Sequence, residues 1–105
     1  MATGRLAAQD MSAATLTTVY DTPAATYTVA TVSVCNRGAG ASNISLAIAD
    51  AATPAVGEYI EFETSLLAKN VLERTGVVLS ATQKIVALSS AASVSVVVVG
   101  IETAA

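Results

Sequence analysis

Three carboxylates within six residues, Glu58, Glu61 and Glu63, and the adjacent pair Glu73-Arg74 are the places where side-chain type and spacing approach chemistry. On a strand, Glu61 and Glu63 share a face about 7 Å apart, the separation of a general acid–base pair or of two oxygen ligands. No Asp/Asn-rich loop with its glycine accompanies them, so a calcium site is not indicated, and a solvated acidic edge is the expected use. Glu73 and Arg74 point to opposite faces if their segment is extended, so each needs a partner elsewhere. Arg74 can fork onto Glu61 or Glu63 of its own domain, or onto a carboxylate of a neighbouring subunit.

The chain has no histidine, which removes the commonest general base, the Ser-His dyad and the commonest zinc ligand together. One cysteine, Cys35, excludes thiolate metal clusters, the two-cysteine redox motif and an intrachain disulfide. It fits a small buried position on the face opposite its valine neighbours. The glycines of Arg37–Ser42 lack the lysine of a phosphate-binding loop and have no helix after them, so they read as a turn. No catalytic, cofactor-binding or metal-ligating residue is assigned.

Composition bounds what surrounds these residues. The 105 residues suffice for one domain, and 53% of them are hydrophobic while only 12% are charged, about half the ~25% charge of ordinary soluble domains. Such a chain exposes weakly polar Ala, Thr and Ser surface, which suits burial in an assembly. A net charge of −3 argues against a nucleic-acid partner held by phosphate neutralisation. Tyr20, Tyr27 and Tyr59 are too scattered for a base-stacking platform. No membrane partner is expected, since no window approaches 18 uninterrupted apolar residues, and the N-terminus lacks the apolar run of a signal peptide.

The elements that must position the charged residues are short strands. Residues 1–15 show no period and are expected to form an arm that orders only against a partner, with the domain spanning 16–105. Strands are expected at Leu16–Tyr20, Tyr27–Asn36, Ile44–Ile48, Glu58–Glu63, Val71–Leu79, Ile85–Leu88 and Ser93–Glu102. Alternation over Tyr27–Asn36 slips near Ala30 and Thr31, which predicts a bulge or a change of sheet. Ile60 and Phe62 are expected to face inward from an acidic edge strand. Leu66–Glu73 is the one segment near helical spacing, although Thr75 and Gly76 favour a loop followed by a strand. The closing strand, with four consecutive valines, should be central or sealed by a neighbour, with its second half covered on both faces. About eight short strands with turn signals between them predict an all-β domain, a single antiparallel β-sandwich of jelly-roll type.

The order TVYDTP (18–23), TYTVATVSVCNRG (26–38), SLAIAD (45–50), EYIEFET (58–64), LLAKNVLERTGVVL (66–79) and SSAASVSVVVVGIE (89–102) resembles a group of small virion structural proteins of tailed, often marine, bacteriophages. Its most specific pieces are the Cys-Asn-Arg turn at 35–37, the Leu-Glu-Arg-Thr-Gly run at 72–76 and the valine strand ending Gly-Ile-Glu. The resemblance implies a non-enzymatic β-sandwich repeated in many copies on a virion assembled in the host cytoplasm. Capsid decoration or cement is the leading expectation, with a tail, neck or fibre-base position and a carbohydrate- or receptor-binding sandwich as the others. The expected partners are further copies of the chain and the major capsid protein or tail subunits, with no cofactor. Asn36, Arg37, Glu61, Glu63, Glu73 and Arg74 are the candidate structural or subunit-contact residues.

Overall fold

Even-numbered residues from Thr26 to Asn36 are buried and odd-numbered ones half-buried or exposed, the two-residue period of a strand with one face on a core. The computed structural model describes residues 1–105 and folds them into eight strands. These are β1 (Thr3–Met11), β2 (Thr17–Asp21), β3 (Thr26–Asn36), β4 (Ser42–Ala49), β5 (Tyr59–Leu66), β6 (Val71–Leu79), β7 (Lys84–Ser89) and β8 (Val94–Ala104). A single 3-10 turn at Val56–Glu58 precedes β5, its backbone tied by the Glu58 carboxylate accepting the Ala55 N–H at 2.8 Å.

The strands form two four-stranded sheets, ordered β1-β8-β3-β6 and β2-β7-β4-β5, and every pairing is antiparallel. The chain changes sheet at every connection except β4–β5, which is the eight-stranded jelly roll expected from the strand spacing. Inward residues of the two sheets meet in one core: Val32, Val34, Leu79, Val94, Val96 and Val98 from the first, Tyr20, Ile44, Leu46, Ile85 and Ala87 from the second. Small and β-branched side chains suit this role, because they pack on a pleated surface with little rotamer freedom to lose.

Several expectations are corrected. Residues 3–11 are an edge strand, held in register on β8 from Thr3–Ile101 to Met11–Val94, rather than part of a loose arm. Met11 is buried and Leu6 and Ala7 pack on the core; a bulge between Arg5 and Ala7 breaks the alternation that would have marked the strand. In β3 the alternation never slips. Thr26 and Thr28 take the inward places, leaving Tyr27 and Val29 outside. The irregularity near Ala30 belongs to β6, where Thr75 and Gly76 stand opposite Thr31, and Gly76 has φ +67°. Leu66–Glu73, by contrast, is as expected a loop followed by a strand and not a helix: Leu66 ends β5, a turn follows, and β6 begins at Val71.

Phe62 points outward and is 64% exposed. Two register breaks between β4 and β5 cause this, since Phe62 and Glu63 share the place opposite Ser45 and Glu63 takes φ +50°. The closing strand β8 lies between β1 and β3, as a central strand. Its second half is open on one face, however, with Val99 and Ile101 exposed.

Candidate functional site

Four charged candidates, Glu61, Glu63, Glu73 and Arg74, lie on the two edge strands that flank one open side of the sandwich. Arg74 of β6 stands beside inward-facing Val32, and Glu61 of β5 beside inward-facing Leu46. Both side chains therefore enter the gap between the sheets, where Arg74 Nη1 lies 3.0 Å from Glu61 Oε2. The carboxylate is the more enclosed partner, and its other oxygen accepts the Thr64 hydroxyl at 2.6 Å. The pair joins the two sheets within one chain. Glu73, one residue earlier, faces the opposite way, beside Ser33, and makes no hydrogen bond or ion pair.

Asn36 and Arg37 form a second junction. The buried Asn36 amide donates to the carbonyls of Gly40 and Leu66 at 2.9 and 3.0 Å, and its oxygen accepts the Gly38 N–H at 2.9 Å. It fixes the turn after β3 and ties it to the end of β5. Arg37 pairs with Asp10 of β1, and its carbonyl accepts Lys69 Nζ at 2.7 Å. Glu63 lines a shallow depression of about 170 Å³ with Ala14, Asn43, Ser45, Leu88 and Ser90, smaller than the ~300 Å³ at which ligand pockets begin. The polar groups there serve the backbone: Ser45 Oγ accepts the Glu63 N–H and Ser90 Oγ accepts the Asn43 N–H.

A third junction escaped sequence reading. The Tyr20 hydroxyl of β2 donates to Glu102 of β8 at 2.5 Å and lies 2.9 Å from the Thr28 hydroxyl of β3, so it crosses from the second sheet to the first. Burial, and then the hydrogen bond to Glu102, push the Tyr20 phenol above its ordinary pKa. The same bond, aided by the Ala2 N–H at 3.0 Å, holds the Glu102 carboxyl below its ordinary value. The only advance signal was an acidic residue breaking the apolar run of β8; its partner is 82 positions away in the chain.

The outer face of the first sheet carries exposed apolar side chains. Cross-strand register aligns Thr3, Ile101, Val29 and Val78 in one row and Arg5, Val99 and Thr31 in the next. A third row runs Ala8, Val97, Ser33 and Glu73, and a fourth Asp10, Ser95, Cys35 and Val71. Tyr27, Val29, Val78, Val99 and Ile101 are each at least two-fifths exposed. Such a cluster exceeds the singly scattered apolar residues of an ordinary surface. At its margins stand Arg5 on one edge strand and Glu73 on the other, both without a partner. The outer face of the second sheet differs. Its Ala47, Ala49 and Val86 are buried, with the 3-10 turn packed against β4.

No helix is long and apolar enough to cross a membrane. Compared with protein-family models, curated proteins and solved structures, the chain matches none of them.

Proposed function

We propose that this chain is a non-enzymatic virion structural protein, a capsid decoration or cement protein of a tailed bacteriophage that acts as an oligomer on the capsid. The observation that carries the reading is the bare outer face of the first sheet, where valines, an isoleucine and a tyrosine stand in aligned rows. A flat apolar face is suited to another flat surface and not to a small substrate. The polar pairs Arg74–Glu61 and Tyr20–Glu102 are engaged in joining the sheets, and the charged side chains left unpaired at the margins of the face are Arg5 and Glu73. Jelly rolls recur in viral capsid domains, a fold-level analogy that supports the setting without specifying it. The virion setting itself rests on the resemblance of residues 18–102 to phage virion proteins. The partner-ordered arm expected of residues 1–15 plays no part in this reading, because β1 is built into the sheet.

The test is to look for the protein on purified phage particles by mass spectrometry and to locate it by electron microscopy. The reading expects many copies per particle, over the head. Density at the tail or neck would move the protein to that position, and absence from particles would overturn the virion reading. One second reading has an observation in its favour: Tyr59 and exposed Phe62 meet edge-to-face, ring centroids 5.1 Å apart, on edge strand β5. Exposed aromatic pairs are suited to sugar rings. Glycan-array binding that Phe62→Ala abolishes would favour a receptor-binding sandwich.

A further inference from the structure

We propose that the outer face of the β1-β8-β3-β6 sheet docks a second copy of this chain, around a two-fold axis running along the strands. The inference takes from the assembly reading only the identity of the contact face, and it does not require that the assembly be a virion.

Charge placement selects this occupant. Arg5 is the one basic side chain with neither an ion pair nor a hydrogen bond: Arg37, Arg74 and Lys84 have carboxylate partners and Lys69 has a carbonyl. Glu73 is likewise unpaired and lies on the same face. The two stand on opposite edge strands, β1 and β6, so they cannot reach each other within one sheet. A two-fold axis along the strands lays β1 of one copy over β6 of the other and β8 over β3. Arg5 and Glu73 lie in neighbouring rows, about 7 Å apart along the strand, a distance that the arginine side chain spans. Each copy then supplies one cation and one anion to two equivalent pairs, the reciprocity of an isologous contact.

The apolar centre obeys the same operation. Val29 lies over Ile101 of the second copy and Ile101 over its Val29, with Val99 beside them, an apolar centre within a charged rim. Aligned face-to-face packing of twisted sheets at about 10 Å is a standard arrangement. Four strands at about 4.8 Å spacing and some ten residues long present a face of roughly 19 by 33 Å, comparable with the ~800 Å² per partner of a stable interface.

Sedimentation equilibrium over a wide concentration range tests the proposal. The wild type should reach twice the 10.5 kDa chain mass. Val29→Glu puts an unpaired carboxylate at the centre and should raise the dissociation constant at least about a hundredfold. Its thermal unfolding by circular dichroism should match that of the dissociated wild type, because Val29 points away from the core. Arg5→Glu and Glu73→Arg should each weaken association about tenfold, two-fold symmetry doubling every lost pair. The double reversal should restore it. A wild type that stays at chain mass, a trimer or larger ring, a dimer indifferent to Val29→Glu, or a double reversal that fails to rescue would each overturn the proposal. A solution dimer absent from virions would retire the virion reading alone, and a particle-bound monomer this proposal alone.

Discussion

The polar side chains that matter most in this molecule hold its two sheets together. Tyr20, Thr28 and Glu102 bring three strands to one point, and this point titrates. Glu102 has its folded pKa lowered by the Tyr20 hydrogen bond. The stability it adds is present above the ordinary carboxylate value of about 4.3 and disappears as pH falls through the depressed folded value. Tyr20 has its folded pKa raised. The stability it adds is present below about pH 10 and disappears as pH rises from there through the raised value. Tyr20→Phe removes both contributions. The melting temperature of the wild type should therefore exceed that of Tyr20→Phe most between about pH 5 and 9, with the gap narrowing at either extreme. A gap of constant size from acid to alkali would show that the hydroxyl acts through packing alone.

At the same residue scale, the sequence revealed Arg74's need for a carboxylate and named Glu61 as a choice, because adjacent strand residues diverge. Tyr20–Glu102 was not legible, since strand pairing determines which distant residues meet. Cys35 was expected to be buried on the face opposite the valines; the face is as expected, but the residue is only partly buried, because nothing covers the outer side of this sheet.

At the scale of elements, legibility followed the regularity of alternation. The range Val71–Leu79 for β6 was read directly from its turn signals and apolar pattern. β1 was missed because a bulge at Leu6 resets its parity and its inward residues are few. Phe62 was misplaced for the same reason, since the irregular β5 register turns it outward. Where pairing is tight, glycine is required by space. A Cβ on Gly100, which faces Ala30 across the β3–β8 ladder, would lie 2.2 Å from the Val29 carbonyl oxygen. Gly76 has open space around it but φ +67°. Gly100→Ala should therefore force two central strands apart and destabilise by about 3 kcal/mol or more. Gly76→Ala should cost only the left-handed backbone penalty, about 1 kcal/mol. Urea unfolding of the two variants checks the order, and equal losses would mean that the β3–β8 ladder yields easily.

At the scale of the whole molecule, the two outer faces have diverged. The second sheet buries its alanines and Val86, while the first presents aligned apolar rows edged by one unpaired cation and one unpaired anion. The low charge content raised the expectation of an assembly surface, which our proposal places on the first sheet. It could not identify the sheet, because burial on one face of β8 depends on which strands flank it and what lies beyond them. Sealing that face is the central claim, and Cys35, the only cysteine, lies on it as a built-in reporter. The most direct measurement is the rate at which a thiol reagent modifies Cys35 as protein concentration increases. The rate should fall as the wild type associates and stay constant in Val29→Glu. A wild-type rate that does not change with concentration, in solutions where association is independently seen, would contradict the account.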